Sequence, residues 1–214
     1  MIILNRSLQF PSVDLADEQG LLAIGGDLRP DRLLLAYRSG IFPWYNEKDP
    51  ICWWSPDPRC ILQPGALHIS KSMRRVIQDG RFTFRTNHAF EQVIRLCQSV
   101  SRKEGNGTWI HDEMLEAYCR LHDLGYAHSA ECWPDDALVG GLYGVRIGRV
   151  FFGESMFSTV SNASKFAFIQ YVKLLEAEGV GLIDCQMRTG HLVSLGAEMM
   201  DRSMFIQLLN KECM

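Results

Sequence analysis

The sequence contains no uninterrupted apolar run long enough to cross a membrane. A bilayer-spanning helix needs about 18 or more consecutive apolar residues, and no such run occurs in this chain. The N-terminal stretch MIILNRSLQF also lacks the basic segment and sustained apolar segment that are typical of a secretory signal peptide. We therefore expect a cytoplasmic protein with no membrane partner.

Cysteine patterns that hold zinc or build a disulfide framework are also missing. The seven cysteines are an odd set, with no C-x-x-C pair and no Cys/His cluster of zinc-ligand spacing. We expect reduced, mostly buried thiols and no bound metal.

Positive charge is not in excess, because the formal net charge is -3 at pH 7. This balance disfavours a protein that coats DNA or RNA through bulk electrostatics. One local exception is the segment of residues 71–85, which carries a net charge of +4. From residues alone, a solvated helix face and a local RNA contact explain this cluster about equally well.

Periodicity and turn residues predict a small N-terminal domain at residues 1–62 and a larger domain at residues 63–214. A helix is expected over residues 29–39, and the five prolines of residues 42–64 favour turns and short edge strands. In the larger domain we expect helices at 70–79, 88–101, 111–124 and 162–179, and strands at 82–86, 126–133, 136–146, 148–157 and 181–187.

This order of elements predicts an α/β class with a mixed, largely antiparallel sheet. Two helices, a run of antiparallel strands, a helix and a further strand are the order expected of the acetyltransferase-like (GNAT) fold. A helix containing Arg202 and Phe205 follows near the end of the chain.

Two predicted strands carry polar residues that a purely structural strand would not need. Asp184 and Gln186 alternate with Ile183, Cys185 and Met187, so parity places the two polar side chains on one face and the other three on the opposite face. A strand end whose polar side chains meet solvent is the alternative, and the residues alone favour that alternative. Cys185 is then expected in the apolar layer, where burial keeps it a thiol. In the strand of residues 148–157, Glu154 lies among Phe and Met residues, where an unpaired carboxylate is costly.

Several motifs, in order along residues 9–205, resemble those of leucyl/phenylalanyl-tRNA-protein transferases. The matching motifs are LLAIGGDL (21–28), GIFPW (40–44), WWSPDPR (53–59), GTWI (107–110), LVGGLYG (138–144), FFGESMF (151–157), NASK (162–165), LIDCQ (182–186) and HLVSLGA (191–197). The resemblance implies the acetyltransferase-like fold. It also implies an aminoacyltransferase that moves leucine or phenylalanine, with methionine as a further candidate, from aminoacyl-tRNA to proteins with N-terminal Arg or Lys, which marks them for N-end rule degradation.

The implied reaction is attack of an α-amine on an ester, which is downhill, so the resemblance implies no cofactor. Implied partners are Leu-tRNA and Phe-tRNA, contacted at the acceptor stem and 3′ end, and the acceptor protein. Asp184 and Gln186 match the family's proposed catalytic pair. In one version Gln186 accepts a hydrogen bond from the amine while Asp184 orients Gln186. In the other, Asp184 binds the cationic acceptor, and substrate or tRNA hydroxyls move the proton.

The resemblance also implies binding residues, each of which has an ordinary core or surface role as its alternative. The aminoacyl side chain is expected to contact Leu142, Phe151, Gly153, Met156, Tyr171 and Ile183, with Glu154 at the same site. The terminal aminoacyl-adenosine is expected to contact Trp44, Trp109 and Tyr118. The acceptor stem is expected to contact Lys71, Arg74 and Arg75. For Asn162, helix capping is a sufficient explanation.

Two other functions fit parts of the sequence. An acyl-CoA-dependent N-acetyltransferase would share the fold, and residues 102–107 fit its pyrophosphate-loop pattern; however, a predicted helix precedes them where that loop needs a strand. A non-catalytic RNA-binding module is the second alternative, but it leaves Asp184 and Gln186 without a role.

Overall fold

The computed structural model describes residues 2–99 and 110–213. The strands are β1 (Ile2–Leu4), β2 (Leu21–Gly25), β3 (Phe42–Pro43), β4 (Cys52–Trp54), β5 (Arg59–Leu62), β6 (Thr83–Thr86), β7 (Ala127–Trp133), β8 (Gly140–Ile147), β9 (Val150–Ser158), β10 (Leu182–Gln186) and β11 (Glu198–Met200). The α-helices are α1 (Pro30–Arg38), α2 (Lys71–Gln78), α3 (Phe90–Ser99), α4 (Asp112–Asp123), α5 (Ala163–Ala177), α6 (Gly190–Ser194) and α7 (Arg202–Glu212).

The N-terminal part of the chain forms a four-stranded sheet with the order β1-β2-β4-β3, and α1 lies between its strands in sequence. Pro30 begins α1, where a missing N–H costs no helical hydrogen bond. Gly40 follows the helix with a φ of 73°, a left-handed conformation that glycine adopts without a Cβ clash. The predicted helix at residues 29–39 is therefore confirmed.

The rest of the chain forms a seven-stranded sheet with the order β11-β5-β10-β9-β8-β7-β6. Only the β9–β10 pair is parallel, and the other five neighbouring pairs are antiparallel. The predicted α/β class and the mixed, largely antiparallel sheet are thus confirmed. The change from one sheet to the other falls between Trp54 and Arg59, while the division at residue 62 stays a prediction.

Alternating side chains of the large sheet pack into two apolar cores, one on each face of the sheet. Phe152 belongs to the core that contains α3 and α4, whereas its neighbour Phe151 belongs to the core that contains α2 and α5. The alternation follows from the twofold period of a strand. Both central faces are covered, so the sheet interior is a rigid frame for the residues at its strand ends.

The helices α2 and α5 begin with different capping arrangements, and the one at α5 differs from the prediction. Ser70 caps α2, since its Oγ accepts a hydrogen bond from the Met73 N–H at 3.3 Å. The capping role predicted for the Asn162 side chain is wrong. Asn162 has a left-handed backbone with a φ of 70° and makes no side-chain cap; the Oγ of Ser158 accepts from the Ser164 N–H instead, at 3.2 Å.

The strands in the proline-rich segment are short, as predicted, but two are not at a sheet edge. β4 lies between β2 and β3, and β5 lies between β11 and β10. The edge prediction is wrong for them because their prolines lie in the connecting loops, where no ladder hydrogen bond is lost. Pro43 is the proline inside a strand, and its strand β3 is an edge.

Of the helices in residues 2–99 and 110–213, none combines the length and apolar character needed to cross a membrane.

Candidate functional site

A central cavity opens where the parallel strands β9 and β10 separate. Their pairing runs from Leu182 opposite Val150 to Asp184 opposite Phe152. Beyond this point each strand carries an irregularity: β9 has an extra residue against β8 at Glu154, and β10 has an extra residue against β5 at Cys185. Bulges bend strands and redirect side chains. Here they open a space of about 770 Å³.

The cavity wall combines apolar and polar side chains from several elements. It is lined by Phe42, Pro43, Trp44, Asn46, Leu142, Tyr143, Gly153, Glu154, Ser155, Met156, Phe168, Ile183, Asp184, Cys185, Gln186, Met187, Thr189, His191 and Leu192. Eight residues predicted from the sequence to bind or react therefore meet here: Trp44, Leu142, Gly153, Glu154, Met156, Ile183, Asp184 and Gln186.

Glu154 is held by three polar side chains from three other elements. The Tyr37 hydroxyl of α1 donates to Oε1 at 2.8 Å, and the Tyr118 hydroxyl of α4 bonds to Oε2 at 2.9 Å. The Gln186 Nε2 donates to Oε1 at 2.8 Å. The two tyrosine hydroxyls also contact each other. This carboxyl thus ties the N-terminal part of the chain to the cavity wall.

Burial sets the acidity of this group. Desolvation raises the pKa of Glu154 from 4.5 to about 7, and the nearby Asp184 charge acts in the same direction. Hydrogen bonds from Tyr37, Tyr118 and Gln186 lower it and only partly compensate. Desolvation also raises the pKa of both tyrosine hydroxyls well above 10. Glu154 therefore titrates near neutrality, whereas its two phenol partners keep their protons.

Asp184 is fully buried and is neutralised by Arg59 of the neighbouring strand β5. The pair is bidentate, with Nε to Oδ1 at 2.8 Å and Nη2 to Oδ2 at 2.7 Å. The guanidinium lies between the rings of Phe42 and Phe205, at 4.7 and 4.9 Å from their centroids. Two parallel hydrogen bonds fix the carboxylate in one orientation. Its oxygens therefore face protein donors.

Asp184 and Gln186 lie together, as parity predicts, but their contact is not between side chains. The Gln186 backbone N–H donates to Asp184 Oδ1 at 2.9 Å. This bond supports the left-handed backbone of Gln186, whose φ is 59°. The amide side chain then turns toward Glu154. Asp184 thus orients Gln186 through the main chain.

The two residues predicted to share the apolar face beyond the pair differ from each other. Contact with Cys60 and burial raise the pKa of the Cys185 thiol well above its usual value, which agrees with the prediction that it stays a thiol. Met187 lies beyond the end of β10, lines the cavity and is 54% exposed. Strand parity does not extend to Met187, because β10 ends at Gln186, whose left-handed backbone redirects the chain.

Gly153 opens the wall of the central cavity. A Cβ added there would lie 3.6 Å from the Asp184 carbonyl oxygen and 4.0 Å from the next nearest atom, a ring carbon of Phe151. Protein neighbours therefore leave room for a side chain, and its absence adds free volume to the cavity.

Three predicted binding residues lie behind the cavity wall. Tyr118 is fully buried, and its ring lies edge-on to Tyr143 at 5.4 Å. The rings of Phe151 and Tyr171 pack against each other with centroids 5.0 Å apart, on the face of the large sheet opposite to Tyr118. The predicted contact residue Trp109 and the loop of residues 102–107 lie outside the described residues. The predicted roles of all these side chains stay predictions.

The basic residues Lys71, Arg74 and Arg75 are exposed on α2. The segment before α2 is attached to the end of α6, because the His68 N–H donates to the Leu195 carbonyl at 2.9 Å. Two residues of α6, His191 and Leu192, line the central cavity. The basic face of α2 is therefore connected to the cavity rim by one short helix.

Arg59 and Tyr37 contact site residues but were not predicted from the sequence. Arg59 had a readable signal, because an arginine that opens the run Arg-Cys-Ile-Leu must find a carboxylate if the strand is buried. Tyr37 had none, since its spacing with Leu33 and Leu34 is that of ordinary helix packing. In the described part of the chain, no three or more His, Cys, Asp or Glu side chains are grouped to hold a metal.

Comparison with known proteins identifies relatives over nearly the whole chain. The family model described as leucyl/phenylalanyl-tRNA protein transferase matches residues 61–210, and the model of its N-terminal domain matches residues 26–57. The leucyl/phenylalanyl-tRNA–protein transferase of Flavobacterium johnsoniae is 54% identical over 99% of this chain and 100% of its own length. The proteins of the same name from Anaeromyxobacter sp. and Syntrophobacter fumaroxidans are 53% and 55% identical, over 97% and 96% of this chain and 88% of their own length.

Likenesses among solved structures are much more distant. A GCN5-related N-acetyltransferase from Kribbella flavida aligns with a TM-score of 0.39 and 12% identity, over 79% of this chain and 60% of that chain. Similarity of this degree does not bear on function.

Proposed function

The chain belongs to the leucyl/phenylalanyl-tRNA protein transferase family, and we propose that the central cavity is where it transfers leucine or phenylalanine from aminoacyl-tRNA to a protein. The observation that carries this proposal is a mostly apolar cavity in which two of the polar lining residues, Glu154 and Gln186, are hydrogen-bonded to each other at the point where two strands separate. Such a cavity fits an apolar aminoacyl group beside a reacting amine.

The apolar part of the wall is suited to the aminoacyl side chain. Leu142, Met156 and Ile183 lie on the side of the sheet that faces α5, and Phe168 of α5 closes this side. Such a pocket rejects charged aminoacyl groups, because their charge would lose its hydration. It separates large apolar groups by only about 1 to 3 kcal/mol. Leucine, phenylalanine and methionine are therefore all expected donors.

Gln186 is proposed as the residue that meets the attacking amine. The reference pKa of an α-amine is about 7.7 to 8.0, so a useful fraction is neutral at physiological pH and needs orientation more than a strong base. The Gln186 carbonyl oxygen can accept a hydrogen bond from that amine, since its Nε2 is committed to Glu154. Asp184 acts as a positioning residue, because its carboxylate holds the Gln186 backbone and is neutralised by Arg59.

Recognition of an N-terminal Arg or Lys requires an acidic group in the cavity. Asp184 already has a cationic partner, which disfavours a direct role in binding the acceptor. Glu154 lines the cavity and makes no ion pair within residues 2–99 and 110–213. We therefore assign recognition of the cationic acceptor to Glu154.

The tRNA is proposed to approach across the rim. Trp44 is 46% exposed and packs edge-on against Trp54 at 5.6 Å, so its ring is available for stacking on the unpaired 3′ end. Lys71, Arg74 and Arg75 of α2 are proposed to contact phosphates of the acceptor stem. Their charge is local, which suits a protein whose net charge is negative.

No cofactor is proposed, because conversion of an ester to an amide is downhill and needs no external energy source. The reaction gives the acceptor protein a new N-terminal leucine or phenylalanine, which is expected to mark it for N-end rule degradation. Since charged tRNA and nascent proteins meet in the cytoplasm, we expect the enzyme to act there.

A transfer assay tests the proposal. Labelled phenylalanine on tRNA is offered with a peptide that begins with Arg, beside the same peptide with an acetylated N-terminus. The proposal predicts label in the free peptide alone. A parallel reaction with acetyl-CoA tests the alternative acetyltransferase. Acetylation of the peptide without transfer from tRNA would contradict the proposed function.

A further inference from the structure

Four oxygen atoms from three side chains form a closed ring behind the central cavity. Tyr37 bonds to Oε1 of Glu154 at 2.8 Å, Tyr118 bonds to Oε2 at 2.9 Å, and the two hydroxyls bond to each other. The residues come from α1, α4 and β9. Both tyrosines are fully buried, so no water competes for these hydroxyls.

The ring contains three hydrogen bonds, and each needs its own proton. Each tyrosine hydroxyl supplies one. If Glu154 is ionised and both hydroxyls donate to it, the contact between Tyr37 and Tyr118 contains no proton and two lone pairs face each other. A third proton is needed to satisfy every contact, and the Glu154 carboxyl is the remaining group that can carry it.

Gln186 indicates which carboxyl oxygen holds this proton. Its Nε2 donates to Oε1 at 2.8 Å, and Tyr37 bonds to the same oxygen. With Oε1 accepting both bonds, a protonated Glu154 would carry its proton on Oε2 and donate it to Tyr118, whereas an ionised Glu154 accepts from Tyr118 at that oxygen. In the protonated form Tyr118 donates to Tyr37, and Tyr37 donates to Oε1. In this arrangement each of the three protons lies between two oxygens.

The charged and titratable groups around the ring agree with this count. Asp184 of β10 is close enough for its charge to raise the pKa of Glu154, and it is paired with Arg59 of β5. Besides burial, the Tyr143 hydroxyl of β8 raises the pKa of Tyr37 and Tyr118. No ion pair within the described residues reaches Glu154. Burial and the Asp184 charge raise the pKa of Glu154 and so favour the proton that the ring can hold, whereas hydrogen bonds from the two tyrosines and Gln186 lower it.

We propose that Glu154 is protonated while the cavity is empty, that Tyr37 and Tyr118 are positioning residues which close the ring around its proton, and that a cationic acceptor N-terminus displaces this proton. The displacement step rests on the proposed function. When the cation enters, the Glu154 O–H bond breaks, the proton leaves to solvent through the cavity, and the carboxylate pairs with the cation. An unpaired carboxylate in the apolar cavity would be energetically costly, and a neutral carboxyl avoids this cost until the acceptor supplies a positive counter-ion.

The first experiment follows the Glu154 carboxyl carbon by NMR in protein labelled with ¹³C at glutamate carboxyl groups. The Glu154→Gln variant identifies the resonance by its loss. In the empty protein the signal is expected to titrate with a midpoint near pH 7. A midpoint below about pH 5, the ordinary range of a glutamate, would overturn the proposal.

A double-mutant cycle tests the ring itself. Tyr37→Phe, Tyr118→Phe and the double variant are unfolded in urea at pH 5.5 and pH 8.5, and the coupling between the two hydroxyls is calculated at each pH. We expect favourable coupling at pH 5.5 and its loss at pH 8.5. In a Glu154→Gln background, the amide replaces the O–H donor, so the coupling should be equal at both pH values. Wild-type coupling that does not change with pH would refute the ring.

The effect of the acceptor is measured on the same resonance with a peptide that begins with Arg, and with its acetylated, norleucine-initiated counterpart as control. The Arg peptide should move the Glu154 titration to lower pH by at least one unit, and the control should not. If the Arg peptide is a good acceptor in the transfer assay but leaves the titration unchanged, the displacement step is wrong. If it is not an acceptor at all, the proposed function fails, whereas the NMR titration and the cycle still decide the ring.

Discussion

Arg59 and Asp184 form a bidentate ion pair in which both side chains are withdrawn from solvent, with 1% and 0% of their surface exposed. The pair links β5 to β10 one residue before the irregularity at Cys185. Because Asp184 also accepts the Gln186 backbone N–H, the pair holds the cavity wall in place. Residues distant in sequence thereby determine the conformation of Gln186.

Arg59→Met should destabilise the protein by about 3 to 5 kcal/mol, because it leaves the buried Asp184 carboxylate without a partner. Urea unfolding of the variant and the wild type measures this loss of stability. Arg95→Met is the control: its ion pair with Glu91 is 57% and 58% exposed, and such pairs contribute about 0 to 1 kcal/mol. Equal losses in the two variants would contradict the assigned importance of the buried pair.

Gln186→Ala should lower kcat for phenylalanyl transfer on the order of 100-fold, as loss of one oriented hydrogen-bonding group at a reacting centre does. Aminoacyl-tRNA binding should change little, since the proposed base stacking on Trp44 and the proposed phosphate contacts of α2 stay in place. Single-turnover kinetics separate the two effects. Gln92→Ala, an exposed glutamine of α3, should behave as wild type. An unchanged turnover in Gln186→Ala would remove this residue from the mechanism.

Gly153→Ala should shift donor preference from phenylalanine toward leucine. The new methyl group meets no atom closer than 3.6 Å, so the fold should tolerate it while the cavity loses volume. We expect roughly a tenfold change in the ratio of kcat/KM values for Phe-tRNA and Leu-tRNA, within the range of one methylene in an apolar pocket. Gly65→Ala, where an added Cβ would approach only a Glu176 oxygen at 3.5 Å, is the matched control. An unaltered ratio would place the aminoacyl side chain elsewhere.

Stability should depend on pH through Glu154. Its pKa is raised from 4.5 to about 7 in the folded protein, so between these values the folded state binds a proton that the unfolded state has released. The stabilisation is full below pH 4.5 and is lost as pH rises to about 7. We expect the difference in unfolding free energy between wild type and Glu154→Gln to fall by about 2 to 3 kcal/mol over this interval. A difference that grows with pH would reverse the assigned direction.

Lys71→Gln together with Arg75→Gln should weaken aminoacyl-tRNA binding roughly tenfold and reduce its salt dependence. Each lost phosphate contact should lower the slope of log K against log salt by about 0.7 to 0.9. In the control, Arg95 and Arg120 are replaced by Gln in the same way; both form exposed i,i+4 ion pairs, on α3 and α4 respectively. If both pairs of substitutions weaken binding equally, the effect is one of net charge and not of the α2 surface.

Much of the large domain could be predicted from the sequence, because its helices and strands have clear periods and turn residues. The nine elements predicted between residues 70 and 187 all occur, with ends that differ by a few residues. Short strands such as β1 and β11 were missed, since three residues are too few to show a period. Their pairing is decided by tertiary contacts.

The site was predictable in composition but not in geometry. Alternation correctly brought Asp184 and Gln186 together. It could not show that Arg59 would neutralise Asp184, or that Tyr37 and Tyr118 would enclose Glu154, because those contacts join elements 36 to 125 residues apart in the chain. Local bulges cannot be read from a single strand either, since the partner strand defines them.

The aminoacyl group is proposed to lie in the central cavity, between β9 and β10. A crystal structure with a stable amide analogue of 3′-phenylalanyl-adenosine would locate it. We expect the phenyl ring among Leu142, Met156 and Ile183, with the acyl carbon facing Gln186. A phenyl ring bound outside this cavity, with the cavity filled only by water, would contradict the proposed function.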